Sequence, residues 1–436
     1  MLTKSYKILS QNFNKYVISK LLCSMSTTVD VESDIAIIGG GIIGYSSAYW
    51  LKKENPKLKI LVVEKDVFYK QCSTVLSVGG LRLQFSVQEN IQMSLFATDV
   101  ISNLGKYFSI GEEENVDVQF IKRGYLLLSQ KEQENILHRN FNLQRSLGAA
   151  LNLLNRAEIR DNWPWINTDD IECGVYGIDC EGWFDPWLLL NVIRKKALQL
   201  GVTSINGSLV EFQGLGNKLK RAIIKLNDEK YAEIKFLNVI NASGCWASDI
   251  AILAERAIGL SGSDYPLHVT KAKRYVYNFH VADFPPTIIT PMVVDSTGVY
   301  FRKESSGLFL SGLSPETHDE PNCDNLDVDY EWFDHEIWPK LYFRVPLMEA
   351  LKVKSAWAGY YDYNTKDQNL IVGKHPAIGN FYLCNGSSGH GIQHALAIGR
   401  ANMELIIYGE FQTINLERFH YNRFVKNELI FESNIF

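Results

Sequence analysis

The apolar run at residues 31–38 ends in three glycines, Gly39 to Gly41. The pattern then changes period. Residues 42–53 predict a helix, and "LKILVVE" at 58–64 predicts a second buried strand, so the stretch predicts a βαβ unit. Over 90–107, Ile91, Leu95, Val100 and Leu104 share one helical face. "GYLLLSQ" at 124–130 predicts a strand, and 131–147 predicts a helix. Residues 161–186 are rich in Trp, Pro, Gly and Asp and predict an irregular crossing. A helix follows, with Asp185 as its cap and Pro186 in its first turn. "AIIKLN" and "LNVINAS" predict two further strands. From 265 to 313 polar residues alternate with aromatic and β-branched ones, as in "KRYVYNF" and "GVYFRKE", which predicts an antiparallel sheet. Residues 315–329 form an acidic loop, and the last helix stops at Gly409.

Buried, parallel-type strands thus lie near both ends and in the middle of the chain, with antiparallel material between them. This predicts an α/β fold. A nucleotide-binding domain is expected from 31–105, 181–262 and 357–412. An antiparallel-sheet substrate domain is expected from 106–180 and 263–356, and a C-terminal extension from 413–436. Residues 1–29 contain no acidic side chain, while Lys4, Lys7, Lys15 and Lys20 are basic and apolar residues recur at near-helical spacing. Residues 1–30 therefore read as a mitochondrial targeting segment, although they lack Arg. A net charge of −5 gives no reason to expect nucleic acid. The seven cysteines are scattered without metal-ligand spacing, so no metal is expected, and no run is long enough for a transmembrane segment.

Three segments carry candidate chemistry. In Gly39-x-Gly41-x-x-Gly44, one glycine permits the tight turn, one admits a pyrophosphate and one permits close helix packing. Glu64 closes the second strand where a carboxylate would bind ribose hydroxyls. The motif alone leaves NAD and FAD open. "NASGCWA" is a strand end turning at Gly244. "NGSSGHGIQHALAIGRANMELI" offers exposed N–H groups before a helix, suited to the negative charge a flavin gains on reduction. "STVLSVGGLRLQFS" places Arg82 after a glycine pair, where it would sit over a cofactor, hold a carboxylate, or simply lie at the surface.

The segments "IIGGGIIGYSSAYWL", "STVLSVGG", "VINASGCWAS", "SAWAGYYDYNTKDQN" and "GSSGHGIQHALAIGRA" resemble the D-amino-acid oxidase superfamily of FAD enzymes. That superfamily includes sarcosine oxidase and the sarcosine and dimethylglycine dehydrogenases. "SAWAGYYDYNTKDQN" is most similar to a mitochondrial branch needed to build or maintain respiratory complex I. The resemblance implies a Rossmann-like FAD-binding domain of glutathione-reductase type with an inserted substrate domain. It implies FAD at Gly39, Gly41, Gly44, Glu64, Ser73, Thr74, Val210, Gly244, Gly386, Gly389, His390, Gly391 and Ile392. Ser77 and Tyr360 stand where relatives carry a flavin-linked His or Cys, so the resemblance implies non-covalent FAD. Gln393, and by a loose alignment Phe309, stand where the oxidase carries lysines, which favours a dehydrogenase over an oxidase. Two functions are expected: assembly or stability of complex I, in the mitochondrial matrix or at the matrix face of the inner membrane, through complex I subunits or assembly factors, and oxidation of a small amine or N-methyl amino acid. For the second, Arg82 or Arg302 would hold the substrate carboxylate, and Tyr361 or Tyr363 would shape the pocket.

Overall fold

The computed structural model describes residues 28–109 and 116–433. The expected targeting segment falls almost wholly outside them. Ile35–Ile38 lies near the middle of a nine-stranded sheet and is buried along its whole length. Ile60–Glu64 and Asn238–Asn241 flank it in parallel, and Thr203–Leu215 and Phe381–Asn385 extend the parallel core on either side. A strand buried on both faces needs no alternation, which explains the unbroken apolar run. Ile35 and Ile37 face the helices Ile42–Glu54, Pro186–Gln199 and Gly391–Ile407. Ala36 and Ile38 face a second core, shared with Ala247–Ala257 and the strands Lys218–Leu226 and Tyr231–Lys235.

A second sheet of eight strands contains Tyr125–Ser129, Leu151–Asn155, Cys173–Gly177 and the five strands from Val269–His280 to Lys352–Asn364. Its longest pairing joins Val269–His280 to Lys352–Asn364 antiparallel, with Arg274 opposite Gly359.

The structure departs from the sequence reading in several places. Residues 31–38 are not one strand: Thr28–Glu32 and Ile35–Ile38 are separated at Ser33 and Asp34. The Asp34 carboxylate accepts the Lys59 N–H at 2.7 Å, which turns the backbone between the two pairings. The helix over 90–107 breaks at Asn103 into Gln88–Ser102 and Leu104–Phe108. The crossing at 161–186 holds two strands, Cys173–Gly177 and Gly182–Trp183, whose short glycine-containing runs hide their pairing. Lys352–Asn364 runs across residue 357 and lies whole in the second sheet.

One buried arginine ties the second sheet to its covering segments. Arg344 ends the helix Trp338–Arg344 and is fully buried. Its Nε donates to Asp295 at 2.5 Å, and its two terminal nitrogens reach Asp170 at 2.8 and 3.0 Å. Asp295 is also buried, so removing the guanidinium strands a carboxylate in the core. Arg344→Ala is expected to destabilise the protein by about 3–5 kcal/mol. Denaturant unfolding would measure this, and a loss below about 1 kcal/mol would contradict it.

Candidate functional site

The glycine turn is built by backbone crowding. Gly39 has φ +109°, and a Cβ there would lie 2.2 Å from the Ala242 carbonyl oxygen. A Cβ on Gly44 would lie 2.0 Å from the Gly39 carbonyl oxygen. Gly41 differs: its nearest neighbours would be Thr74 Oγ1 at 3.4 Å and Cys72 Sγ at 3.7 Å, on the side facing an open cleft. So Gly39 and Gly44 make the turn possible, while Gly41 keeps it low.

The helix Ile42–Glu54 then starts with no side-chain cap and no acidic residue in its first turn. Its N–H groups and positive dipole end are left for the cleft. The Ile42 N–H reaches Thr74 Oγ1 at 3.2 Å. The Glu64 carboxylate closes the opposite side. One oxygen accepts the Gly40 N–H and the other the Asp66 N–H, each at 2.8 Å. Burial raises its pKa. Each oxygen keeps a lone pair for a further donor such as a sugar hydroxyl.

The cleft has a volume of about 330 Å³. It is lined by Gly39, Gly41, Glu64, Ser73, Thr74, Gly244, Gly389, Gly391, Ile392 and Tyr361, all singled out from the sequence. Ser77 lines it as well. Gly244 has φ +55°, and a side chain added there would meet nothing within 4 Å. Gly44 and Gly386 do not line the cleft: they support the two loops that do. The Val210 side chain is 45% exposed, and the wall beside it is formed by Gly207, Ser208 and Leu209.

The second loop is held by a residue that sequence reasoning missed. The buried Asp362 carboxylate accepts the Ser387 N–H at 3.0 Å and its hydroxyl at 2.8 Å. The Asp362 carbonyl takes the Ser388 N–H, and Ser388 Oγ accepts the Asn364 N–H. Gly389 has φ +96°, and a Cβ there would lie 2.5 Å from the Tyr361 ring. The loop feeds Gly391–Ile407, a second helix without a side-chain cap or an acidic first turn. Ile42 and Ile43 from one helix start, and Gly391 and Ile392 from the other, line the same cleft. Two positive helix ends around one cavity, with the Glu64 carboxylate on another of its walls, fit a dinucleotide carrying a flavin.

Beside the second loop sit Arg82 and His390. Burial, the Arg82 charge and His394 hold the His390 pKa well below its usual range, so the ring is neutral. A neutral ring nitrogen can accept the Arg82 Nη2 donor, which lies 3.3 Å away. The Arg82 N–H donates to Gln393 Oε1 at 2.9 Å, and its guanidinium lies over Phe85. The Arg82 loop is pinned from two distant places, neither visible in the sequence. The buried Glu181 carboxylate takes the Leu83 N–H at 2.5 Å and Gln84 Nε2 at 2.8 Å, and burial pushes its pKa up to about 7. Glu432 accepts the Ser86 N–H at 2.6 Å and Asn90 Nδ2 at 2.6 Å, anchoring the start of Gln88–Ser102.

Arg302 is engaged inside the wall: Nε on Glu304 and Nη1 on the Val78 carbonyl, each at 2.5 Å, with the guanidinium over Trp183. Phe309 is not near the cleft. It is fully buried, stacked on Phe279 at 5.7 Å and edge-on to Phe284. The loose alignment that set it beside the flavin is therefore corrected. An arginine that the sequence did not single out, Arg274, lies 5.4 Å from the Tyr361 ring and 5.9 Å from Tyr363. Among the described residues no cluster of side chains is arranged to hold a metal ion, and no helix is long and apolar enough to cross a membrane.

Comparison with known proteins places this geometry. The model of the family DAO, FAD dependent oxidoreductase, matches residues 34–405. The chain is 42% identical over 424 residues to FAD-dependent oxidoreductase domain-containing protein 1 of Xenopus laevis, covering 93% of this chain and 85% of that one. It is 41% identical over 417 residues to the Bos taurus protein of the same name, covering 91% and 86%. Among solved structures, L-proline dehydrogenase from P. horikoshii superposes with a TM-score of 0.77 at 23% identity, covering 92% of this chain and all of that one. A family match over most of the chain and relatives this near lead to one conclusion: the chain belongs to the DAO family of FAD-dependent oxidoreductases.

Proposed function

We propose that this protein binds FAD non-covalently and oxidises a small amine that carries a carboxylate, of the N-methyl amino acid class. The observation that carries the reading is the convergence of two uncapped helix starts on one cleft, whose far end is walled by Gly389 and Tyr361. Bound FAD would supply the acceptor for a hydride from the carbon next to nitrogen.

The chain's own residues supply the rest. The glycine turn and the Ile42–Glu54 helix start hold the pyrophosphate, and Glu64 holds a ribose. Gly389 and Gly391 bring backbone close to the electron-accepting ring, where N–H groups stabilise negative charge. Neutral His390 orients Arg82 without adding a second charge. Ser77 offers no nucleophile comparable to His or Cys, and the Tyr360 hydroxyl donates to the Cys323 carbonyl at 2.9 Å. These features support non-covalent binding. Gln393 spends its carbonyl on the Arg82 backbone and places no cation at that position. That favours a dehydrogenase over an oxidase, because reduced oxygen gains nothing from a neutral amide.

The similarity to the Xenopus laevis protein over 93% of the chain supports a second, biological reading. With the resemblance of "SAWAGYYDYNTKDQN" to the mitochondrial branch and the lysines of residues 1–29, we read a mitochondrial flavoprotein, of the matrix or the matrix face of the inner membrane, that serves respiratory complex I through its subunits or assembly factors.

Gly41→Val is expected to reduce bound flavin by at least about tenfold, read as the flavin-to-protein absorbance ratio; full occupancy would remove the pyrophosphate assignment. Acid precipitation of the holoprotein is expected to leave the flavin in the supernatant, and yellow colour in the pellet would contradict non-covalent binding. Anaerobic titration with N-methylglycine and other N-methyl amino acids is expected to bleach the flavin. If none bleaches it, and complex I is lost on deletion of the gene, the assembly role stands without the enzymatic one.

A further inference from the structure

The acidic loop at 315–329 is tied down by the strands next to the cleft. Tyr360 donates to the Cys323 carbonyl, Tyr277 to the Asp329 carbonyl, and Lys273 Nζ to the Asp327 carbonyl at 3.4 Å. One contact is of another kind. Glu320 grips Arg274 with both oxygens, at 2.8 Å to Nη1 and 2.7 Å to Nη2.

The two partners differ in environment. The Arg274 side chain is only 9% exposed, whereas that of Glu320 is 33% exposed and rides on a surface loop. Among the described residues, Arg274 Nε is buried without a hydrogen-bond partner, and the second contact of Nη1 is with the Lys273 carbonyl. The guanidinium lies against Tyr361, which lines the cleft and packs on Gly389. Arg302, another arginine near this wall, is already paired by Glu304 and the Val78 carbonyl.

We propose that Arg274 is a carboxylate subsite at the Tyr361 end of the cleft, and that Glu320 is its internal occupant, displaced by the carboxylate of an incoming ligand. This rests on the reading of the cleft as a site for small amino acids. The exchange replaces one carboxylate by another on a buried cation, so the bidentate pairing survives it. A neutral ligand would evict Glu320 and leave the cation unpaired, a loss that selects for anions. Displacing Glu320 also releases the loop at its ionic contact with Arg274, so occupancy of the subsite frees the loop around Glu320 while the contacts at Cys323, Asp327 and Asp329 hold the rest.

The test uses FAD-loaded full-length protein and propionate, a carboxylate with no amine to oxidise, with propionamide as the neutral control. Binding is read from the shift of the flavin spectrum. Glu320→Gln is expected to tighten propionate by at least about tenfold and to leave propionamide unchanged. Arg274→Gln is expected to weaken propionate by at least about tenfold. In the unmutated protein, saturating propionate is expected to speed amide hydrogen exchange in the part of the loop around Glu320. Equal propionate affinity in Glu320→Gln and the unmutated protein would overturn the proposal, as would an equal gain for propionamide. The exchange readout covers the case in which Arg274→Gln fails to fold: a loop unaffected by saturating propionate also overturns it. N-methylglycine separates this from the wider reading. Bleaching with no propionate effect removes the subsite alone, and the propionate pattern without bleaching by any amine removes the amine reading alone.

Discussion

The fold depends on how closely three backbone segments approach one another at the first turn. The Gly39 α-carbon faces the Ala242 carbonyl, and the Gly44 α-carbon faces the Gly39 carbonyl, both nearer than any side chain allows. This contact locks the helix Ile42–Glu54 onto the strands Ile35–Ile38 and Asn238–Asn241. It fixes where the helix begins, and so where its unsatisfied N–H groups point. The cleft, the carboxylate of Glu64 and the later glycine loop are arranged around that fixed end. A single methyl group at either glycine would push the layers apart, which is why the constraint is steric before it is electrostatic.

Electrostatics then sorts the cavity into regions. One part is bounded by two helix starts and suits anionic groups. The Glu64 side accepts hydrogen bonds. At the Tyr361 end, arginines are engaged by different means. Arg302 has an acidic neighbour on its own strand, Arg82 leans on a neutral imidazole, and Arg274 borrows a carboxylate from a loop. The three solutions differ in how easily they are undone. A pairing within one strand is fixed with the strand, whereas a pairing across a loop contact lasts only while the loop stays down.

Much of this was legible in the sequence, for a physical reason. Gly39, Gly41, Gly44 and Glu64 act within one βαβ unit, so short-range spacing encodes them. Gly389, Gly391 and Ile392 are likewise encoded by the local run from loop to helix. What stayed hidden is long-range pairing between polar residues. Glu181 serves Leu83 and Gln84, Glu432 serves Ser86 and Asn90, and Glu320 serves Arg274. Each carboxylate reads locally as a solvated acid, and only the folded chain shows that two of them anchor the Arg82 loop. Phe309 is the opposite case: its local sequence resembles a site strand of relatives, but the fold puts the ring in the core against Phe279. The short strands Cys173–Gly177 and Gly182–Trp183 were missed because their glycines and neighbouring turn residues mask any period-two pattern.

The walls of the cleft come from places far apart in the chain: residues 39–43 early, 242–246 midway, and 387–392 near the end. A ribosome delivers them in that order. Until the last of them has left the exit tunnel, the nascent chain lacks one wall of the cleft. A chain cut short anywhere before residue 387 therefore lacks both that wall and the second helix start.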